Sequence, residues 1–591
     1  MPKPTTQPTQ PVETARRAAA QNPGLPSLPP GWVWTMLGEV CRPPQYGWTT
    51  KAVSVGDLKL LRTTDITSGY IDWHSVPYCA ELPPDIEKYL LHDGDIVISR
   101  AGSVGYSMLI QKPPRAVFAS YLIRFKPIYP WIEGRYLYYF LQSPHYWRAI
   151  SEQTLGIAIP NVNAKKLRSI SLPLAPLPEQ RRIVARIEEL FSQLDAAEEG
   201  LRRVQRNLKR YRAAVLKAAV EGRLVPTEAE LARRRGGRGR SQTCPYETGA
   251  ELLQRILAER RRRWEEREWA KLVEKAKKKA AQARRKAQGL PARIRDIPPK
   301  EWQAIPEEEY RRYLPKDDRW KQKYKEPAPP DTTDLPPLPE GWVWATVEMV
   351  GEVKGGKRVP KGHSYADGPT PYPYIRVTDF VDGTVRIEDL KYLKPETFEK
   401  IRKYTISSKD VFISIAGTIG VTGTVPEFLD GANLTENAAK ITSLHGILPR
   451  YLHFVLSSPY GQGQISSRII STNQPKLALF RIATIPIPLP SLAEQHRIVA
   501  EIERRLSVAR EAEKAAEANL KRIARSRQAI LKQAFEGKLV PQDPNDEPAE
   551  ALLERTQRTR PQSVSKSRPA VRGDVDAAQQ LSLFEDGEDT L

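Results

Sequence analysis

The sequence predicts an α+β chain with an internal pseudo-two-fold repeat, in which two similar β-rich domains are separated by two long, antiparallel coiled-coil helices. Three observations predict it. Motifs recur in pairs: Leu28–Val40 reads LPPGWVWTMLGEV and the stretch from Leu338 reads LPEGWVWATVEMVGEV, while Gly94–Gly105 (GDIVISRAGSVG) answers Lys409–Gly420 (KDVFISIAGTIG). The pairing then holds its register, because Gly102 recurs as Gly417 and Glu179 as Glu494, the same shift of 315 residues; a constant shift of that kind marks a duplicated unit. Finally, each copy passes from short β-branched and aromatic runs bounded by turn residues into one long stretch of helical period.

In chain order, residues 1–27 are rich in Pro, Thr and Gln and read as a disordered N-terminal tail without the apolar core of a signal peptide. Residues 28–178 form the first domain, with strands in runs such as Asp95–Ser99 and Tyr121–Phe125 and a short helix over Tyr136–Leu141. Residues 179–222 form a long helix whose heptad seam is Ile187, Leu190, Leu194, Ala197, Leu201, Val204, Leu208, Tyr211 and Val215. Residues 223–337 are a charged helical linker; Glu259–Lys286 (ERRRRWEEREWAKLVEKAKKKAAQARRK) reads as a solvated helix in preference to a dedicated DNA arm. Residues 338–493 form the second domain, with its short helix over Tyr451–Leu456. Residues 494–537 form the second long helix, whose seam (Ile502, Arg505, Ala509, Ala512, Ala516, Asn519, Ile523, Ser526, Ile530) is smaller and more polar, suited to a larger partner. Residues 538–591 are a C-terminal tail. At about 1.5 Å per residue, helices of roughly 40 residues would act as rulers of about 60 Å.

Composition narrows the function. A net charge of +22 over 591 residues favours a polyanionic partner. Cys41, Cys79 and Cys244 are too scattered for a zinc knuckle or a disulfide framework, and the histidines form no metal pattern. With no run long and apolar enough for a bilayer, the expectation is a cytoplasmic protein with no membrane contact and no metal. Gly351–Lys357 has the glycine and lysine spacing of a phosphate-binding loop, but Arg358 stands where that loop needs Ser or Thr for magnesium.

The succession LPPGWVWTMLGEV, SRAGSVG and IPNVNAKKLRSISLPLAPLPEQRRIV, all of it repeated, resembles the DNA-specificity subunits of type I restriction-modification systems. The likeness covers nearly all of Leu28–Pro541. Its most specific feature is the step from an apolar strand through Pro-rich sequence into Glu-Gln, Arg and Ile-Val, at Leu177–Val184 and Ser491–Val499. The resemblance implies that the β-rich domains are target-recognition domains, each reading half of a bipartite, asymmetric site on double-stranded DNA. It also implies helices that set the spacer and dock two adenine-methyltransferase subunits, with two restriction/translocase subunits as further partners. With neither an Asn-Pro-Pro-aromatic loop nor a Gly-rich cofactor loop in the chain, S-adenosylmethionine, ATP and Mg2+ are expected on those partners, and no catalytic residue is assigned here. The alternative is a coiled-coil scaffold that binds DNA without sequence preference.

Candidate DNA-binding residues fall in three clusters. Arg62 and Thr64 beside Asp65 match Arg376 and Thr378 beside Asp379; arginine can read guanine, and an Arg–Asp ion pair is the alternative. Arg100 and Ser103 lie in the SRAGSVG turn and Thr418 in its copy, where Ile415 replaces Arg100, so that any contact by Arg100 is private to the first domain. Asn161, Asn163, Lys165 and Lys166, and in the second copy Asn473, Gln474 and Lys476, suit phosphate positioning or adenine readout, although Thr472-Asn473-Gln474-Pro475-Lys476 departs from Ile159-Pro160-Asn161-Val162-Asn163. Near the C-terminus, Gln580, Leu581, Leu583 and Phe584 resemble the peptide by which bacterial proteins grip the DNA sliding clamp, with packing on the coiled coil as the alternative.

Overall fold

The computed structural model describes residues 25–154, 161–235, 246–470 and 475–558. The chain divides into two units, Met1–Gly200 with Asn519–Leu591, and Leu201–Ala518.

In the first unit Val33–Met36 pairs antiparallel with Ser171–Leu174, bringing both ends of the globule beside the long helix that starts at Leu177. One four-stranded sheet has the order Gln45–Tyr46, Leu122–Phe125, Ile96–Ser99, Ser107–Leu109. A second has the order Ala52–Val53, Tyr78–Cys79, Lys59–Leu61, Ala116–Phe118, its last two strands parallel. Ile96–Ser99, Ala116–Phe118 and Leu122–Phe125 are buried at every residue, which explains why they read as continuous apolar runs rather than alternating ones. The chain returns to this core at its far end. Phe535 sets its ring edge-on to Tyr136 and Phe140 at 5.1 and 5.4 Å, and a helix over Ala549–Arg558 starts with the Ala549 N–H donating to the Gly31 carbonyl at 2.9 Å.

The second unit repeats this plan. Val343–Thr346 pairs with Pro486–Leu489, and the sheet order Glu352–Gly355, Ala438–Thr442, Val411–Ser414, Thr422–Gly423 matches the first sheet strand for strand. In the second sheet Pro373–Ile375 and Ala432–Leu434 are again parallel, but the fourth strand differs: Thr405–Ile406 lies beside Ala432–Leu434, whereas in the first unit Ala52–Val53 lies beside Tyr78–Cys79. Here the helix Gly249–Ala287 takes the place of Ala549–Arg558: Thr248 and Glu251 close a capping box at its start, Gly249 N–H donates to the Gly341 carbonyl at 2.7 Å, and Leu252 and Ile256 are buried.

Each long helix has 44 residues, Leu177–Val220 and Leu492–Phe535. Within the first unit, Arg182 pairs with Asp546 and Arg527 with Asp195 and Glu198; within the second, Arg497 pairs with Glu228 and Arg212 with Glu513. In each unit the partner numbers run in opposite directions, as antiparallel helices require.

Three expectations need correction. The seam of the first long helix is displaced at alternate positions: Ala197, Val204 and Tyr211 are exposed, while Glu198 and Arg212, one residue further on, face the partner helix through ion pairs. Among the described residues each globule carries five short α-helices rather than one, Leu37–Val40, Ile86–Tyr89, Gly134–Phe140, Pro144–Thr154 and Ala164–Arg168 in the first, and Val347–Val350, Pro395–Ile401, Pro449–Ser457, Pro459–Ser466 and Leu479–Ala483 in the second. The segment after the first long helix is not a solvated rod, because Ala280 and Ala281 pack on Ile297 and Ile305 of the returning chain.

Candidate nucleic-acid interface

The turn that follows Ile96–Ser99 is tied to two other segments by backbone bonds. Arg100 N–H donates to the Tyr121 carbonyl at 2.9 Å, Val162 N–H donates to the Arg100 carbonyl at 2.9 Å, and Ala101 bridges Asn161. Ser99 Oγ donates to the Ser103 carbonyl inside the turn, and Gly102 takes φ +75°, a left-handed conformation open to glycine. The second unit has the same frame. Ile415 N–H donates to the Asn437 carbonyl at 2.8 Å, Leu477 N–H donates to the Ile415 carbonyl at 3.0 Å, Ala416 bridges Lys476, and Ser414 Oγ donates to the Thr418 carbonyl.

The edge strand beside each frame corresponds too. Tyr46 lies opposite Ile123 and Gly355 opposite Ala439. At the next residue the chain crosses backbone closely: a Cβ on Gly47 would fall 2.2 Å from the Ala119 carbonyl oxygen, and one on Gly356 2.0 Å from that of Thr435. The glycines of Gly351–Lys357 therefore serve a paired strand and a close backbone crossing, not a phosphate loop.

On this shared frame four corresponding positions carry unlike side chains. Tyr46, Arg100, Tyr121 and Asn161 in the first unit stand where the second has Gly355, Ile415, Asn437 and Lys476. Arg100 lies over the Tyr46 ring at 5.2 Å, and Tyr46 Oη accepts the Ala164 N–H at 3.0 Å, which anchors the ring. The Arg100 Nε is buried with no hydrogen-bond partner among the described residues, while Tyr121 is 59% exposed and Asn161 is exposed. A guanidinium over an anchored ring is drawn to its face, which narrows the directions its N–H donors can take. In the second unit Asn437 and Lys476 are exposed beside a half-buried Ile415.

The other candidates are spent in the chain to different degrees. Arg62 makes a two-point ion pair with Asp65 (3.1 and 2.8 Å) and Arg376 with Asp379 (3.1 and 2.6 Å); the Asp65 hydrogen bond raises the pKa of Arg62, and Asp379 does the same for Arg376. Thr64 and Thr378 sit within the same 3-10 turns. Asn163 caps the helix Ala164–Arg168 by accepting the Lys166 N–H at 2.9 Å, and Lys166 Nζ donates to the Gln153 carbonyl at 2.9 Å. Lys165, Ser103 and Thr418 are exposed. Asn473, Gln474, Gln580, Leu581, Leu583 and Phe584 lie outside the described residues. Tyr46, Tyr121, Gly355 and Asn437 escaped sequence reading because Tyr46 to Gly355 is a shift of 309 and Tyr121 to Asn437 one of 316, so the constant register misaligns them. Matching strand to strand would have found them.

Behind the frames the two units agree. Trp32 Nε1 donates to Glu179 at 2.9 Å and Trp342 Nε1 to Glu494 at 3.0 Å; burial raises the pKa of both carboxyls and the indole bonds oppose it. Arg135 pairs with Glu188 at 3.1 Å and Arg450 with Glu503 at 2.9 Å. Among the described residues no group of three or more His, Cys, Asp or Glu is placed to hold a metal, and no helix is long and apolar enough to cross a membrane.

A family model described as "Type I restriction modification DNA specificity domain" matches residues 46–204 and 339–522. The chain is similar to the type I restriction enzyme EcoBI specificity subunit of Escherichia coli, 23% identical over 94% of this chain and 98% of the relative. It is similar also to the EcoDI specificity subunit of Escherichia coli, 21% identical over 87% of this chain and 96% of the relative. A chain solved in work on "complex assembly" and "conformational transition of the type I R-M system" shares the fold, with a TM-score of 0.53 at 18% identity, over 87% of this chain and 100% of that one.

Proposed function

The chain belongs to the type I restriction-modification DNA specificity family, and from this we propose that it reads a bipartite, asymmetric target and positions catalytic partners on it. The observation that carries the reading is the shared frame with unlike side chains, Tyr46, Arg100, Tyr121 and Asn161 against Gly355, Ile415, Asn437 and Lys476. One backbone scaffold bearing two chemistries suits two unlike half-sites. Arg100 offers the paired donors that guanine O6 and N7 accept, and Asn161 the donor and acceptor that adenine presents. Lys165 and Lys476 suit phosphates, which hold register without reading sequence. Methylation and cleavage belong to partners: two adenine-methyltransferase subunits on the helices and two restriction/translocase subunits, which bind S-adenosylmethionine, ATP and Mg2+. Exposed Val204 and Tyr211, two turns apart on one helix face, support protein docking there. The setting is the cytoplasm. In the tail, Gln580–Phe584 grips a sliding clamp; deleting residues 580–591 then abolishes binding to purified clamp, and unchanged binding discards this contact.

The test is to co-express the chain with its methyltransferase subunit and map modified adenines across a host genome. A split asymmetric motif, absent without this chain, is expected. Methylation that needs no such chain, or that follows no sequence rule, would return the reading to a coiled-coil scaffold.

A further inference from the structure

The helix Gly249–Ala287 continues well beyond its docking site at Leu252 and Ile256, and the cations of its distal half divide into an engaged set and an exposed row. One face is engaged with the returning chain. Lys277 lies over Tyr310 at 5.3 Å and donates to the Gln303 carbonyl, Lys278 lies over Trp302 at 4.8 Å, and Arg285 pairs with Glu301 at 2.8 Å. Beside these lie Lys271, Lys275, Lys279 and Lys286, all exposed. At 100° per residue these four fall within one narrow stripe, on the side away from the buried Ala276 and Ala280. Lys271 has Glu268 as a partner at 3.1 Å; Lys275, Lys279 and Lys286 have none among the described residues.

Such a row works against the helix by itself, since like charges four residues apart repel. Lys286, in the last turn, is favoured by the helix dipole, but Lys275 and Lys279 are not. We propose that this row is a sequence-independent clamp for duplex DNA, laid along the phosphates outside the bases that the recognition frames read. The spacing fits: four helical residues advance about 6 Å, close to the advance of about 6.8 Å for every second phosphate of one strand. The residue type fits as well. Lysine is a compact, hydrated point charge on a flexible stem, suited to phosphates and depleted from protein interfaces, where arginine and aromatics are preferred. Trp264 and Trp269 are occupied with Trp320, at 6.2 and 5.6 Å, so the arm offers charge rather than a stacking surface. The clamp shares with the proposed function only the duplex ligand.

The full chain, assembled with its methyltransferase subunits, is titrated by fluorescence anisotropy against duplexes with and without the mapped motif over a range of salt. Replacing Lys271→Gln, Lys275→Gln, Lys279→Gln and Lys286→Gln together lowers the slope of log K against log salt by about 3 to 4, at 0.9 per phosphate. The loss is equal on both duplexes and leaves the methylated motif unchanged. The four Lys→Arg replacements keep the slope, which separates lost charge from lost folding. An unchanged slope in the Gln variant overturns the clamp. So does a defect confined to subunit assembly without DNA, which would assign the row to an acidic protein surface. A wild-type complex that prefers no duplex, yet still loses slope on substitution, contradicts the sequence-reading proposal and leaves the clamp standing.

Discussion

In the first unit the buried Asp95 faces Arg124 at 3.6 Å, and in the second Asp410 faces Lys440 at 3.1 Å; Trp32 and Trp342 reach equivalent glutamates, and Tyr136 and Tyr451 donate to the carbonyls of Pro173 and Pro488. A few residues away the correspondence stops. The backbone bonds around Arg100 and Ile415 still match, but their outward side chains share neither charge nor size. The difference teaches where selection of side chains is free: buried partners constrain one another, whereas a turn held by its own backbone accepts any residue at its rim.

The comparison breaks most readily at its shared interior. Asp95→Ala and Asp410→Ala each leave a largely buried cation without its carboxylate, and each should cost about 3–5 kcal/mol. Urea unfolding checks this, and a loss below about 1 kcal/mol in one unit alone would show that the two interiors are not equivalent. A smaller asymmetry lies at His453, whose counterpart is Tyr138. Burial, reinforced by Arg450, lowers the imidazole pKa to about 3, and its Nδ1 meets Thr422 Oγ1 at 3.1 Å. A histidine held neutral in the folded state contributes stability above its unfolded pKa, lost as pH falls from about 6.5 toward 3, at roughly 1.4 kcal/mol per unit. Thermal melts from pH 7 to 4.5 should therefore show the second unit weakening, and His453→Gln should flatten that dependence. Smallest is Tyr46→Leu, which removes the ring under Arg100. It should weaken binding to the cognate duplex by about 0.5–1 kcal/mol without changing the second half-site, as read by competition between duplexes altered in one half.

Much of the fold was legible because duplication shows as a constant register, and because strands such as Ile96–Ser99 and the two 44-residue helices have strong local periods. The displaced seam was not legible, since it depends on Glu198 and Arg212 reaching Arg527 and Glu513 across the helix pair. Nor was the packing of Ala280 and Ala281 with Ile297, because alanines in a lysine-rich run carry little hydrophobic signal. On the candidate frame, Arg100, Asn161 and Lys476 were legible from the turn motif and its neighbours. Tyr46 was missed because its strand has only two residues, and Arg62 and Arg376 were ambiguous until their aspartates were seen in place.

The central claim is that one frame displays two independent readers. Arg100→Ala, co-expressed with the methyltransferase subunit and followed by genome-wide mapping of modified adenines, tests it most directly. The account predicts relaxed preference at a position in one half-site, with a loss of about 1–3 kcal/mol of discrimination there, and an unchanged second half and spacer. A motif altered in both halves, or in neither, would contradict it.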